Sequence, residues 1–463
     1  MASREDRNSL NMMAMHDFFN HGELREMRIL TWPILFLSML LAACEPSADD
    51  ARPTQDFAAD AQRIAHTSII VDTHIDVPYR LQTEQADISA ATDGGDFDYP
   101  RAVKGGLNAP FMSIYTAADL EAEGRSRNAA EALIDSIEDI VASAPRKFAI
   151  ARSTQDVRSN FEDGVMSLAL GMENGSPIEG NLDNVQHFHD RGIRYITLTH
   201  SLSNHIADSS YDDNRQWHGL SDFGADVVRE MNRLGIMVDV SHLSDDAFWQ
   251  VTQISEVPVV ATHSSARHFT PNFERNMSDE MIKRLAEGGG VIQINFGSAF
   301  ITHEARLYNS ARSDEKKLFK AENPGLSNKE VADQIHPLYA QEHGPFPYAT
   351  LADVLDHFDH VVQLVGVDHV GIGSDYDGVG DTLPIGLQDV AAYPNLIEGF
   401  LRRGYSESDI RKILGENLLR VWDAAETYAR QAQQQSRSDD SKTFSVRLVR
   451  VPSPVTRICG RRR

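Results

Sequence analysis

The chain has 463 residues, of which 41% are hydrophobic and 24% charged, and its formal net charge is −24 at pH 7. This length is ample for one α/β barrel with insertions. The acidic balance argues against nucleic acid as a partner, and two cysteines, Cys44 and Cys459, support neither a disulfide framework nor a cysteine metal site.

The first 44 residues have the pattern of an export signal. Arg25 and Arg28 precede an apolar run over residues 29–41, which is too short for a comfortable membrane span. Two alanines and Cys44 follow, and small residues before a cysteine are similar to a bacterial lipobox. We therefore expect a lipoprotein, modified at Cys44 and anchored to a bacterial membrane on its periplasmic or outer face. Ordinary signal cleavage and a short uncleaved anchor are the alternatives.

Two further boundaries are expected near this end of the chain. Residues 1–26 carry both signs of charge and differ from the basic start of a signal peptide, so Met27 is a candidate for the true start. Residues 45–65, which are rich in Ala and Asp, are predicted to link the signal to a barrel domain over residues 66–435.

Apolar, largely β-branched runs recur along the domain, and most of them end in a polar cluster before a helix-like stretch. Such strands, alternating with helices, predict a parallel sheet covered on both faces. Eight units in succession predict an α/β fold, the (β/α)₈ TIM barrel, in which the carboxyl ends of the strands meet at one mouth. The eight runs cover residues 69–71, 109–115, 165–170, 195–198, 236–240, 259–261, 291–296 and 370–373.

Two of the intervening helices have clear boundary signals. One is predicted to begin at Ser221 and to end at Gly235, and the other to begin at Ser278 and to end at residues 288–290. Residues 301–348 are charged and contain four prolines. We predict that they form a long insertion before the eighth strand, which lies at the barrel mouth as a lid or as a subunit contact in a homodimer.

The carboxyl-terminal residues differ from the domain in composition. After a helix predicted to end near Gln435, residues 436–463 are rich in Lys and Arg and show little periodicity. They are predicted to be a disordered basic tail, with binding to anionic lipid as the functional alternative.

Histidines and carboxylates stand at the ends of several predicted strands. His74 and Asp76 leave the first strand two residues apart, so their side chains point to one face. An imidazole and a carboxylate placed together form half of a divalent-metal site and suit zinc better than calcium or magnesium. The candidates for the other half follow later strands in the same way, and they are Glu173, His200, His242, His263 and Asp375. One histidine at a strand end is more often a hydrogen-bonded surface residue, but several histidines and carboxylates at one mouth favour a metal site.

Several motifs occur in an order that resembles the membrane dipeptidase family, also called renal dipeptidase-like or peptidase family M19. They are VDTHID, GMENG, YITLTHS, VDVSH, THSSAR, the Arg275-Asn276 pair and DHVGIGSDYDG, and the resemblance extends from about Ser68 to Val421. It implies a barrel of the metal-dependent amidohydrolase type that hydrolyses the peptide bond of dipeptides. It also implies two Zn²⁺ ions, which Glu173 would bridge.

The resemblance implies a role for each site residue. His74, Asp76 and Glu173 would hold one zinc ion, and Glu173, His242 and His263 the second. Three further residues would contact the substrate or move its protons. His200 would bind the substrate, Asp375 would act as acid and base, and Arg275 would meet the substrate carboxylate.

Some assignments have a nearby competitor. Asp377 competes with Asp375 for the acid and base role, and His205 competes with His200 for the substrate. Asp72 precedes a ligand strand end, as does Asp239, and both are candidates for supporting the ligands. Six other histidines are assigned to structural roles, namely His66, His218, His268, His357, His360 and His369.

The implied chemistry is hydrolysis by a metal-bridged hydroxide. Two zinc ions that share one carboxylate can also share a hydroxide, because Lewis acidity lowers the pKa of bound water toward about 7. One alternative is a related binuclear hydrolase of the same barrel class, acting on another amide, a β-lactam, a lactone or a phosphoester. The other is a non-catalytic binding lipoprotein that kept the barrel.

Overall fold

The computed structural model describes residues 56–448, and it describes side chains as far as residue 435. The predicted signal with Cys44, residues 45–55 of the predicted linker and residues 449–463 lie outside the described part. The strands are β1 Val71–Ile75, β2 Ala109–Tyr115, β3 Phe148–Ile150, β4 Met166–Glu173, β5 Ile193–Thr197, β6 Met237–Asp239, β7 Val260–Ser264, β8 Val291–Ile294 and β9 Val370–Ile372.

Eight of these strands form a closed parallel barrel, which confirms the predicted fold. Their order around the barrel is β1, β2, β4, β5, β6, β7, β8 and β9, and Asp72 on β1 pairs with Ile372 on β9 to close it. Strand β3 pairs with β4 alone, through Phe148 beside Met166. This strand was not predicted, because three residues are too few to show an alternating pattern.

Helices connect the strands and cover the barrel. They are α1 Phe57–Thr67, α2 Val77–Thr83, α3 Tyr99–Gly105, α4 Asp119–Ala122, α5 Ser126–Ser143, α6 Thr154–Asp163, α7 Asp183–Arg191, α8 Asp222–Leu234, α9 Asp245–Ile254, α10 Asp279–Glu287, α11 Ser298–Ile301, α12 His303–Glu322, α13 Asn328–His343, α14 Leu351–Val365, α15 Tyr393–Arg402, α16 Glu407–Arg411 and α17 Asn417–Leu448. Single helical turns are Ser176–Ile178, Arg267–Phe269, Val367–His369 and Val390–Ala392, and Lys412–Glu416 is a π-helical turn.

The two predicted helices begin and end where their signals stand. The side chain of Ser221 accepts a hydrogen bond from the backbone NH of Gly224 at the start of α8, and Gly235 ends that helix with φ of +81°. Ser278 caps α10 in the same way, and Gly288 follows its last residue.

A buried apolar cluster fills the barrel at the amino ends of its strands. Val71, Ala109, Val260 and Val291 are the first residues of their strands, and all four are buried there. Helix α17 contributes Trp422, whose ring centroid lies 5.3 Å from that of Phe111. Because this end is packed with side chains, the open end of the barrel is the one where the strands terminate.

The domain extends beyond both predicted boundaries. Residues 57–65 were predicted to be part of a linker, but they lie in α1 and bury Ala61, Ile64 and Ala65 against the core. These apolar residues recur at helical spacing, which explains the helix. At the other end, α17 extends to Leu448 instead of ending near Gln435, since neither Gly nor Pro interrupts it.

The insertion before the last strand is a helical hairpin. Helix α13 packs Val331, Ile335 and Tyr339 against α12, where the rings of Tyr308 and Tyr339 lie 4.9 Å apart. The position of the insertion at the barrel mouth is confirmed, because both helices line the cavity described below. Its role as a subunit contact stays a prediction. Among the described residues, no helix has both the length and the apolar character needed to cross a bilayer.

Candidate metal centre

A cavity of about 640 Å³ opens at the carboxyl ends of the strands. Its lining combines two groups of side chains, one from the loops that follow the strands and one from the helical hairpin. The strand-end group contains every predicted metal-binding, catalytic and substrate-binding residue except the deeper His74 and His263. These residues are Asp76, Glu173, His200, His242, Arg275 and Asp375, and the competing Asp377 lines the cavity as well.

Glu173 lies at the centre of the predicted ligands, and its two carboxylate oxygens face different partners. Oε2 is 3.4 Å from Nε2 of His74, and this nitrogen is also 3.4 Å from Oδ2 of Asp76. Oε1 is 3.2 Å from Nε2 of His242 and 3.2 Å from Nε2 of His263. All five predicted metal ligands therefore meet around one carboxylate, in two groups.

The donor atoms of this cluster fit divalent cations. Nε2 of His74 is buried without a hydrogen-bond partner in the described structure. The hydroxyl of Thr262 donates its proton to Asp239 at 2.6 Å, so the neighbouring Nδ1 of His263 donates to that hydroxyl at 2.8 Å. This tautomer leaves a lone pair on Nε2 of His263, only 3.0 Å from Nε2 of His242. Lone pairs this close to one another and to a carboxylate repel each other, and a bound cation would relieve that repulsion.

Burial and neighbouring charges set the charge states of the ligands. Burial lowers the pKa of His242 and of His263 well below the usual value, so both imidazoles are neutral near pH 7. Burial opposes ionisation of Glu173, but the imidazoles of His74 and His200 hold the pKa of this carboxyl well below its usual range. Burial opposes a charge on His74, but Tyr195 and the neighbouring carboxylates raise its pKa well above the usual value, so this imidazole would release a proton when a cation binds.

Asp239 and Asp72 hold the ligand-bearing strand ends together, as predicted for supporting residues. Asp239 accepts hydrogen bonds from the backbone NH groups of Ser241 and Thr262, both at 2.9 Å, and from the hydroxyl of Thr197 at 2.5 Å. Asp72 accepts from the backbone NH of His74 at 3.1 Å, from the backbone NH of Ser374 just after β9, and from a hydroxyl on α15. Each carboxylate thus fixes the backbone next to a ligand.

The cavity contains His200 and not its competitor. Nε2 of His200 is 3.5 Å from Oε1 of Glu173, and its ring centroid lies 4.7 Å from that of Tyr115. Nδ1 of His205 instead contacts Oε1 of Glu121 at 3.0 Å, and its side chain does not line the cavity. The geometry therefore favours His200 as the residue that meets a bound molecule.

The two competing aspartates also differ in their surroundings. Asp375 accepts a hydrogen bond from Nδ2 of Asn295 at 2.7 Å, and burial raises the pKa of its carboxyl to about 7. Asp377 forms an ion pair with Nε of Arg80 at 3.0 Å and accepts from the backbone NH of Asp96 at 2.6 Å. Asp377 is thus committed to a structural network, whereas Asp375 is free to exchange a proton.

Arg275 presents part of its guanidinium to the cavity. Nη1 donates to Oγ of Ser264 at 2.7 Å and Nη2 donates to the backbone oxygen of His263 at 2.8 Å, while Nε has no partner in the described structure. The side chain is only 3% exposed, and Cζ lies 5.4 Å from the centre of the Phe300 ring. A buried cation with unused donors is suited to bind a carboxylate.

The structural histidines that make hydrogen bonds do so outside this centre. Nε2 of His357 donates to the backbone oxygen of Ile301 at 2.9 Å, and Nδ1 of His369 donates to that of Gly290 at 2.8 Å. His360 lies 2.8 Å from Oδ1 of Asp279 and stacks on the exposed His268. None of these residues lines the cavity at the barrel mouth.

A parallel barrel with imidazoles and carboxylates gathered at its mouth is characteristic of the metal-dependent barrel hydrolases. The sequence pattern of the family described as membrane dipeptidase (peptidase family M19) matches residues 58–436. The chain belongs to this family, and it is a metallo-dipeptidase.

Solved structures agree with this family. The probable dipeptidase PvdM from Pseudomonas aeruginosa is 26% identical, with 81% of this chain and 99% of that chain covered and a TM-score of 0.71. A metallopeptidase from Rhodobacter sphaeroides, liganded with a phosphinate mimic of the dipeptide L-Ala-D-Ala, is also 26% identical. That match covers 77% of this chain and 99% of that chain with a TM-score of 0.63.

Gly378 is a site residue that the sequence did not reveal. A Cβ atom on it would lie 2.3 Å from Oδ1 of Asp375 and 2.3 Å from Oδ2 of Asp76.

We expect Gly378→Ala to displace these carboxylates and to lower kcat/KM by about a hundredfold, the effect of misplacing a catalytic group by about 1 Å. Metal analysis and dipeptide hydrolysis measure the effect. Gly325→Ala is the control, because nothing lies within 4 Å of its Cβ position, and wild-type values for both variants would contradict the expectation.

Proposed function

We propose that the protein is a zinc-dependent dipeptidase that binds two Zn²⁺ ions, one on each side of Glu173. His74 and Asp76 would complete one site, and His242 and His263 the other. The observation that carries this proposal is the division of the Glu173 carboxylate, whose Oε2 faces the first pair and whose Oε1 faces the second. Imidazole and carboxylate ligands with no thiolate are compatible with zinc.

When bound, the two ions would supply Lewis acidity, which makes a water molecule acidic enough to be a nucleophile near neutral pH. Asp375 would accept the proton of that water and return it to the leaving amine, and Asn295 holds its carboxylate in place. A pKa near 7 suits a group that must both take and give a proton. His200 would donate to the substrate carbonyl oxygen.

Arg275 would select short substrates. Its free donors at the cavity wall would bind the terminal carboxylate of a peptide and place the adjoining amide above Glu173. The Rhodobacter enzyme supports this proposal, because its ligand mimics a dipeptide with a free carboxylate. Because that ligand mimics a dipeptide ending in D-alanine, dipeptides with a carboxyl-terminal D-residue are candidate substrates of this protein as well.

Hydrolysis of L-Ala-L-Ala and L-Ala-D-Ala, before and after chelation, tests the proposed function. We expect chelation to abolish hydrolysis and two equivalents of Zn²⁺ to restore it, because the other four proposed ligands meet around the Glu173 carboxylate. Activity that survives full removal of metal would contradict the proposal. If the protein hydrolysed a lactone or a phosphoester but no dipeptide, the alternative function, a related binuclear hydrolase of the same barrel class, would be favoured instead.

We also propose that the protein is exported and lipid-anchored through Cys44, which lies outside the described residues. The short apolar run before this cysteine supports the proposal. In a bacterial host, wild-type protein is expected to incorporate labelled palmitate and to sediment with membranes, and Cys44→Ser to do neither. Unlabelled wild-type protein in the soluble fraction would contradict the anchor. Cys459→Ser, at the opposite end of the chain, is the control.

A further inference from the structure

Three basic side chains of the helical hairpin face the same cavity as the metal ligands. Arg312 and Lys316 lie four residues apart on α12, which places them on one face of that helix, and His336 projects from α13. All three line the cavity at the barrel mouth. We call them the lid cluster.

The lid cluster has no carboxylate partner. Within the described residues, no Asp or Glu oxygen lies within 4.0 Å of any of its nitrogen atoms. The side chain of Arg312 makes one hydrogen bond within the described residues, from Nη2 to Oδ1 of Asn309 at 2.9 Å. Nε2 of His336 is buried without a partner there. The neighbouring Lys317, by contrast, points to solvent, is 74% exposed and pairs with Asp314 at 3.1 Å.

Burial makes the adjacent positive charges of Arg312 and Lys316 unfavourable. Arg312 is 8% exposed, and its guanidinium packs 5.1 Å from the centre of the Phe346 ring. Burial lowers the pKa of Arg312 and of Lys316, and the charge of Arg312 lowers that of Lys316 further. Burial also lowers the pKa of His336, and both neighbouring cations add to this shift. An exposed carboxylate, Asp381, acts on Arg312 and His336 only from a distance.

Unpaired cations in a partly dry cavity attract an anionic ligand, because its charge replaces the hydration that burial removed. The terminal carboxylate of a dipeptide is already assigned to Arg275, which is anchored to Ser264 at a strand end. The lid cluster lies on the hairpin instead, so it is available to a different anionic group of the same substrate.

We propose that the lid cluster is a second anion-binding subsite, which makes the enzyme prefer dipeptides with an acidic side chain in addition to the terminal carboxylate. This inference rests on the proposed dipeptidase function. The acidic side chain can belong to the first or to the second residue of the dipeptide, and the chemistry that the cluster recognises is the same in both cases.

Two matched substrate pairs test the proposal, namely Ala-Glu with Ala-Gln and Glu-Ala with Gln-Ala. Glutamate and glutamine have the same size, so a difference within a pair reports charge alone. We expect wild-type kcat/KM to favour the acidic member of one pair by about tenfold, the usual worth of one hydrogen bond to a charged group. The pair that shows the preference identifies which residue carries the recognised side chain.

Variants of the lid cluster test whether it causes the preference for the acidic substrate. Lys316→Gln and His336→Gln are expected to reduce the ratio to about twofold or less, through a higher KM for the acidic substrate, while Lys317→Gln keeps it. Calorimetric titration with phosphinate analogues of the preferred pair gives a readout that does not depend on turnover. Equal kcat/KM within both pairs, or a ratio that both cluster variants retain, would overturn the subsite and leave the dipeptidase function intact. If no dipeptide were hydrolysed, Ala-Ala included, both proposals would fail.

Discussion

Glu173→Gln is expected to abolish metal binding at one or both sites and to lower kcat/KM by about a thousandfold or more. Glutamine keeps the size of the side chain but replaces one carboxylate oxygen by an NH₂ group. This group cannot coordinate a metal ion that His242 and His263 would also bind. Every other ligand would remain in place, so the loss would come from the missing oxygen and its charge. A thousandfold loss corresponds to about 4 kcal/mol, within the stabilisation that metal ions supply to hydrolytic transition states.

Zinc content by mass spectrometry and dipeptide hydrolysis measure this effect on the same preparation. Glu179→Gln is the matched control, since Glu179 is exposed and lies outside the cavity. Normal thermal unfolding of Glu173→Gln would show that its loss of activity is not a loss of fold. Full zinc content together with wild-type turnover in Glu173→Gln would refute the bridging role.

Asp375→Asn is expected to lower kcat by about a hundredfold to ten-thousandfold, the usual contribution of a positioned acid or base. Zinc content should stay at the wild-type level, because the five proposed ligands do not include this residue. The amide of the variant can still accept the hydrogen bond from Asn295, so the local packing is preserved. KM should change much less than kcat, since the lost step is a proton transfer.

Asp377→Asn separates the two neighbouring aspartates. Asp377 holds Arg80 and the backbone of Asp96, so this variant is expected to lose thermal stability and to retain most of its kcat at a temperature where it is folded. Steady-state kinetics and thermal unfolding of both variants provide the comparison. The reverse pattern, with kcat lost in Asp377→Asn and kept in Asp375→Asn, would assign the proton transfer to Asp377.

The barrel and the ligand cluster could be predicted because both follow from short-range patterns. A buried parallel strand is a continuous apolar run, and most of the runs in this chain end in a polar motif. Since the carboxyl ends of all strands in a barrel meet at one mouth, His74, His242 and His263 had to converge although they are far apart in sequence. Glu173 was identifiable because it is the only charged residue of its strand and follows an apolar run at residues 168–172.

Other features depend on distances that no local pattern encodes. Gly378 is expected to matter because two carboxylates, Asp76 after β1 and Asp375 after β9, occupy the space that a Cβ atom would need. The lid cluster forms only because helices α12 and α13 pack over the barrel mouth. The charges and prolines of residues 301–348 predicted an insertion but not which of its side chains would face the cavity. The choice of Asp375 over Asp377 rested on the strand end and on the family motif, and the ion pair of Asp377 with Arg80 adds a physical reason.

Anomalous diffraction at the zinc edge from crystals of the zinc-loaded protein is the most direct measurement of the metal centre. Two peaks are predicted, each about 2.0–2.2 Å from one oxygen of Glu173. One peak should be bound by His74 and Asp76, and the other by His242 and His263. A single ion, or ions held only elsewhere, for example between His268, Asp279 and His360, would contradict the proposed bridged pair.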